Sequence, residues 1–466
     1  MLNSNLHTVI SRFLFLVLLF VFCFTFAGRT IAATPYSPER LFRVGLYFQD
    51  KTSDNSLFSL VNTSNYGFEI GLYNKDTQSF ICQKATGSQN ILLSAENGAI
   101  HISAFAKDSA GSEMPSDFIY SSSTTFYIRP LGASLITVAG VGYGGMLEYS
   151  LTPSGKITLI NLITLDEYVK GVLPCEFIPS WDEEALKAGA VVIRTYALAS
   201  IMGKHAESNF DVCASTHCQV YKGMNNVTDK TNAAVDATAG EIVTYNGKPA
   251  LTVYHSSSID ATESVSSAWG SSQEQYPYLS SVKTPFIDSK LIPGSIWSKA
   301  IRPQDLLTYI LTKYPGKLSG DIREITYEKG ESGYVNQMTV TDVVGGSVTV
   351  KTSGQVRTLL SKFIKSANFD LASTYLYSDT KTEAISSVLT ASGQQNADTG
   401  EKYTVLSADG KKTVQGIEKV FFVNGKGYGH GIGLSQYGAQ QLSLLGYSYD
   451  KIIKTYYTGV LIEKFS

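Results

Sequence analysis

One helix-forming stretch constrains this chain more than any other segment. Ser180-Trp181-Asp182-Glu183 has the form of a capping box, with Ser180 as N-cap and Glu183 reaching back to it. Apolar residues at 185, 186, 192, 193, 196 and 197 then mark one broad face that runs through to Gly203. A helix with so wide an apolar face must be covered along its length, so it predicts the spine of a core. Immediately before it, Leu173-Pro174-Cys175-Glu176-Phe177-Ile178-Pro179 sets one acid between two prolines in an apolar turn. Asp182 and Glu184 suit the first turn of the helix by charge, and Glu183 has its capping job. Glu176 has no such task. A carboxylate desolvated by these neighbours has a raised pKa and can hold a proton near neutral pH, as a general acid must. The competing reading is an ordinary loop acid.

The rest of the chain reads as a mixed α+β fold. Forty glycines and 28 tyrosines among 466 residues favour strands, turns and aromatic surface. Lys+Arg 38 against Asp+Glu 40, with no long basic run, argues against nucleic acid as a partner. Arg12 precedes an apolar run over 13–28, shorter than a comfortable bilayer span, so 1–34 reads as a signal peptide or a membrane anchor and the remainder as exported. A β-rich region follows over 35–130, with a strand at 41–47 and a Ser-rich loop at 107–125. From Gly144 the pattern tightens into strands at 146–149 and 156–161 and a short helix at 165–169. Asn246-Gly247 closes a strand with a turn, and the polar stretch at about 382–416 reads as a surface insertion or flexible hairpin.

Three further clusters could carry chemistry. Gly427, Gly429, Gly431 and Gly433 recur at period two, which in a strand puts all four on one face and lets another backbone or a ligand approach. Tyr428 and His430 then lie on the opposite face. Ile432 breaks the glycine spacing of a dinucleotide loop. Cys213, His217 and Cys218, with His205 upstream, offer a tetrahedral zinc set, although an exported Cys213 and Cys218 could equally form a disulfide. His255 beside three serines lacks the elbow of a serine hydrolase.

Taken in order, these segments resemble the stage II sporulation protein D/LytB (amidase enhancer) family. The resemblance is carried by 165–172, the Glu176 turn, 184–188 running to Arg194-Thr195-Tyr196-Ala197, Gln219-Val220-Tyr221, and 427–439. It implies a catalytic core over 131–466 and a peptidoglycan lytic transglycosylase with Glu176 as the catalytic acid. Lys187, Arg194, Tyr221, His255, Ser257, Tyr428, His430 and Gln436 would bind substrate or support the site. Some members carry zinc in the loop matching 213–218, which makes a structural zinc the implied cofactor. The implied partners are peptidoglycan glycan strands, with a cell-wall amidase and membrane partners beside them. The chain departs from the family at Ser258-Ile259-Asp260, where Ser-Gly-Gly is common. No second acid pairs with Glu176, since Asp166 and Glu167 read as a helix start. A reaction whose nucleophile lies within the substrate needs only one acid. A non-catalytic enhancer of an amidase is the rival reading, and a plain muramidase another.

Overall fold

Alternating β-branched and aromatic residues build two antiparallel layers ahead of the helical core. The computed structural model describes residues 40–48, 57–64, 66–107, 113–201, 203, 205, 207–376, short strands between 384 and 416, and 418–465. The apolar run at 13–28 lies outside the described residues. In the seven-stranded sheet, Phe42–Tyr47 pairs antiparallel with Ile157–Ile163 and parallel with Val212–Cys213. The order continues through Met146–Leu151, Phe126–Pro130, Phe68–Asn74 and Ser79–Thr86. Ile157–Ile163 is buried at six of its seven residues, as a central strand covered on both faces should be. A six-stranded sheet holds Leu57–Asn62, Asn90–Glu96, Ala99–Lys107 and Glu113–Ser122 among its members. The Ser-rich stretch expected as a loop is therefore largely strand. Phe118 stacks on His101 across the pair and Ser121 hydrogen-bonds the same ring, so the cross-strand contacts outweigh the turn composition.

The α-helices among the described residues are α1 (Leu165–Glu176), α2 (Glu183–Ser200), α3 (Asp229–Ala237), α4 (Val265–Trp269), α5 (Pro303–Lys313), α6 (Ser353–Leu359), α7 (Gln436–Leu444) and α8 (Tyr449–Tyr456). The expected spine is α2, packed against α1, α3, α7 and α8. Its start differs from expectation: Asp182, not Ser180, is the N-cap, accepting the Glu184 N–H at 3.1 Å. Trp181 N–H closes a turn onto Ile178 O at 2.9 Å, which leaves Asp182 as the extended residue at the helix mouth. Glu183 pairs instead with Lys187. Gly189 lets α1 come close, since a Cβ there would sit 3.0 Å from both Leu173 and Phe177.

Thr164 and Glu167 form the capping box of α1, as expected of a helix start. The helix runs past 169 to Glu176, through Pro174, because Tyr168, Val169, Val172 and Leu173 continue its buried face. Asn246 and Gly247 take φ of 50° and 71°, both left-handed, and join Glu241–Tyr245 to Lys248–Pro249 as the Asn-Gly signal requires.

Between α4 and the glycine segment the chain builds a second apolar cluster around Trp297, Tyr334, Met338, Phe369 and Phe421. It is covered by α5, α6 and two three-stranded sheets, centred on Glu418–Lys426 and Val335–Asp342. Within 382–416, Ser387–Thr390 pairs with Gly393–Asn396, and Lys402–Ser407 pairs with Gly410–Gly416.

The glycine segment itself is a loop, not a strand. Gly427, Gly429, Gly431 and Gly433 have φ of 74°, 113°, 84° and 67°, conformations that side-chain-bearing residues avoid. The close approach they permit is to the segment 253–258: a Cβ at Gly433 would lie 2.1 Å from Val253 O, and one at Gly427 2.5 Å from Ser257 O. The loop ends where Leu434–Ser435 pairs in parallel with Tyr254–His255.

Candidate active site and metal cluster

Glu176 is the last residue of α1, with Phe177 as C-cap donating its N–H to Leu173 O. Ending a helix there points the carboxylate away from the helix axis and towards the loop after Cys218. Its Oε1 accepts the Val220 N–H at 2.8 Å, while Gln436, at the start of α7, donates to the Glu176 backbone carbonyl at 2.8 Å. Burial pushes the carboxyl above the usual carboxylate range, and hydrogen bonds from Val220, Tyr254 and Gln436 offset this only in part.

Glu176 lines a cavity of about 290 Å³ with Tyr196, Thr216, His217, Cys218, Val220, Val253, Tyr254, Trp269 and His430. It is the one carboxylate in that lining. Behind it lies a chain of polar groups whose linkage the sequence did not reveal. Buried Gln219 accepts from the Tyr168 hydroxyl and donates to the Tyr254 oxygen, each at 3.2 Å. Tyr254 therefore keeps its own O–H to donate, and Glu176 is among the groups it acts on. Both phenols are pushed far up by burial and stay neutral.

Of the other expected site residues, His430 lines the cavity and Gln436 grips the Glu176 backbone. Nδ1 of His430 accepts the Ile432 N–H at 3.0 Å, so a neutral ring carries its proton on Nε2. His255 is buried behind it, with ring centroids 5.5 Å apart and Nδ1 against Ile432 O at 3.1 Å. Burial pushes His255 down to about 4, so its imidazole is uncharged.

Ser257 is buried and exchanges backbone hydrogen bonds with Tyr428, at 3.1 and 2.8 Å, which leaves the Tyr428 ring exposed. Tyr221 is packed away under α1, its hydroxyl donating to Asn161 at 2.8 Å. Arg194 is 1% exposed and ties three elements together, bonding Asp166 at 2.6 Å, Glu241 O at 3.0 Å and Val235 O at 3.4 Å. Lys187 pairs with Glu183 and Glu184 on the flank of α2. Lys187, Arg194 and Tyr221 are not among the cavity's lining residues.

At the divergent edge, Asp260 takes φ of 70°, the backbone state glycine favours, and its carboxylate pairs with Lys426 at 2.9 Å. Aspartate tolerates that state better than most residues.

The metal-ligating set closes on one wall of the cavity. Donor atoms of His205, Cys213, His217 and Cys218 all lie within 4.8 Å of one another. Nδ1 of His217 lies 3.6 Å from Cys213 Sγ and 3.7 Å from Cys218 Sγ. Tetrahedral bonds of about 2.0–2.3 Å to nitrogen and sulfur give ligand edges of roughly 3.3–3.8 Å, so these spacings fit. Hydrogen bonds from Cys218, Ser215 and His217 pull the Cys213 thiol down to about 3, giving the thiolate a metal needs. His205 Nε2 is buried with no hydrogen-bond partner among the described residues. Cys213 and Cys218 are not joined as a disulfide.

Known proteins resemble this chain over much of its length. Residues 153–245, which hold α1, α2 and the metal cluster, match the family model described as stage II sporulation protein. An uncharacterized protein of Brachyspira hyodysenteriae is 29% identical over 338 residues, covering 71% of this chain and 74% of its own length. The amidase enhancer of Bacillus subtilis is 31% identical over 319 residues, 64% of this chain and 40% of that protein. Stage II sporulation protein D of Bacillus amyloliquefaciens is 27% identical over 319 residues, 66% of this chain and 76% of its own length. The resemblance read from the motifs is supported: residues 153–245 match a stage II sporulation protein domain, and the chain is similar to relatives named stage II sporulation protein D and amidase enhancer.

Proposed function

We propose that this chain, with its stage II sporulation protein domain, is an exported lytic transglycosylase that cleaves peptidoglycan glycan strands at N-acetylmuramic acid. The observation that carries this reading is Glu176: a single carboxylate in its cavity, pushed above the usual carboxylate range by burial and oriented by Val220 N–H. Glu176 gives its proton to the glycosidic oxygen as the C1–O bond breaks. Its carboxylate then takes the proton of the C6 hydroxyl as that oxygen bonds to C1, closing a 1,6-anhydro ring. The nucleophile belongs to the substrate, so no second acid is needed to activate water.

The test is digestion of purified, peptide-stripped glycan strands by wild type and Glu176→Gln, read by mass spectrometry. Anhydro ends made by wild type and lost in the variant are expected. Reducing ends in their place indicate a muramidase, and no cleavage by wild type overturns the enzyme reading. One relative's name, amidase enhancer, favours a second role, in which the chain binds glycan and stimulates a partner cell-wall amidase. Addition of such an amidase to both proteins separates the two, because an enhancer would work equally well with Glu176→Gln. The work would be done outside the cytoplasm, by a protein anchored at the outer face of the membrane or secreted into the cell wall.

We assign a structural zinc to His205, Cys213, His217 and Cys218. All four positions are filled by protein, which closes the coordination sphere and makes the ion a clasp for the loop carrying Val220 N–H. Cys213→Ser is expected to lower the melting temperature and the bound zinc together. Full zinc content in metal analysis of Cys213→Ser, or unchanged melting with selective loss of activity, contradicts the assignment.

A further inference from the structure

Trp269 stands apart from the other two tryptophans of the chain. Trp181 and Trp297 are each 9% exposed, whereas Trp269 is 42% exposed, on the wall of the cavity that holds Glu176. A single exposed apolar side chain is ordinary on a protein surface, so it is the position of this ring, on the same cavity wall as Glu176, that singles it out. Its partner within the fold is His430, with ring centroids 5.5 Å apart and planes inclined at 55°.

The ring's position is fixed from behind. Trp269 ends α4, which is stopped by Gly270 at φ 70° with its N–H returned to Ser266 O at 2.9 Å. Val265 and Ala268 are buried, so the short helix has one fixed orientation. The second apolar body presses α6 against it. A Cβ at Gly354 would lie 2.5 Å from Ala268 O and 3.3 Å from the Trp269 ring. Only a residue without a side chain permits that approach, and it sets the tilt of the indole.

We propose that Trp269 is the stacking platform for a saccharide ring seated beside the scissile bond, and that the body holding Gly354 sets its angle. A pyranose presents a face of C–H groups that matches an indole in size and apolarity, while its hydroxyls point sideways to polar walls. The cavity, at the lower end of the roughly 300–1,000 Å³ typical of ligand sites, suits a single sugar ring. This assignment rests on the glycan-strand reading above, and names the subsite that reading requires.

Because the other two tryptophans are buried, iodide quenching of fluorescence reports mainly on Trp269. Peptide-stripped glycan strands added to Glu176→Gln, which binds without turnover, should protect the emission from iodide, and the protection should vanish when Trp269→Phe is added to that background. In otherwise wild-type protein, Trp269→Ala should raise KM for those strands about tenfold with a smaller change in kcat, the effect of one lost stacking contact, and Trp269→Phe should recover part of it. Gly354→Val, at a position outside the cavity lining, should raise KM in the same direction by displacing the ring. An unchanged KM in Trp269→Ala, or full iodide access while bound glycan is measured by calorimetry, overturns the platform. Either result leaves the cleavage reading intact if Glu176→Gln still abolishes anhydro ends. Iodide protection without any anhydro product would instead retain the platform and remove the enzyme.

Discussion

Glu148 and Glu176 are both withdrawn from water, one in the seven-stranded sheet and the other at the end of α1. Glu148 is wholly buried, and Arg43 meets it with a fork of two bonds at 2.7 and 2.8 Å. Asn209 donates to the same carboxylate at 2.8 Å, and its carbonyl accepts from Arg43, so every member of the cluster is engaged. Glu176 has donors but, among the described residues, no Lys or Arg paired with it. Burial with a cation keeps a charge in place and serves the fold. Burial without one lifts the pKa and stores a transferable proton. The difference between the two regions is therefore in the pairing, since both acids are desolvated.

The sharpest way to break that comparison is to neutralise each acid. Glu176→Gln removes the proton donor and should lower cleavage by about 10²–10⁴-fold. It should not cost stability at neutral pH. A carboxyl raised in the folded state binds its proton more tightly there than in the unfolded chain, so stability declines as pH climbs from the ordinary carboxylate value to the raised one. Glutamine escapes that decline, and thermal melting of both proteins from acid to mildly alkaline pH should show the variant gaining on wild type. Activity of the wild type should fall in the alkaline direction as Glu176 loses the proton it must donate.

Arg43→Met is next in size. It strands Glu148 in the sheet and should cost about 3–5 kcal/mol by denaturant unfolding, with activity per folded molecule preserved. Replacing Arg43 and Glu148 together with apolar residues should cost less than Arg43→Met alone. If the double variant is the worse of the two, the pair is more than a compensated charge.

Much of this was legible in the chain because it rests on local signals. The apolar face of α2, the first-turn acids Asp166 and Glu167 of α1, the Asn246-Gly247 turn and the clustered 213–218 ligands depend on neighbours a few residues apart. Glu176 stood out because nearby residues already met the needs of the helix.

What stayed hidden depends on distant segments. The Gln219 relay joins Tyr168 in α1 to Tyr254, and no spacing rule announces it. Trp269 acquires its role from Gly354, 85 positions away, and from a helix of only five residues. Glycines at period two fit one face of a strand or four left-handed turns equally well, and only packing against 253–258 decides for the loop. Arg194 and Tyr221 sit in strong motifs yet lie off the cavity lining, each hydrogen-bonded within the fold, a placement the motifs alone do not reveal.

The smallest predicted effect concerns a third buried acid, intermediate between the first two. Glu263 is 1% exposed, accepts from Ser264 N–H at 2.8 Å and Ser332 Oγ at 2.9 Å, and gives its own N–H to Gly431 O. Its Oε2 has no hydrogen-bond partner among the described residues. Burial raises this carboxyl as well, against the opposing pull of Ser264, Ser332, Ser267 and Ser353. It thus resembles Glu176 in the direction of its pKa shift and Glu148 in serving the fold, because it fastens the glycine loop to the second apolar body through Ser332. An amide can replace a neutral carboxyl there, so Glu263→Gln should change stability by less than about 1 kcal/mol in acid, as a near-isosteric swap that keeps the acceptor oxygen. The sign follows that of Glu176: wild type loses stability as pH rises through the raised value, and the glutamine variant does not. Thermal melting across that range checks it. A uniform loss at every pH would mean that Glu263 is held ionised by the hydroxyls around it, and the contrast between paired and proton-bearing acids would need a third class.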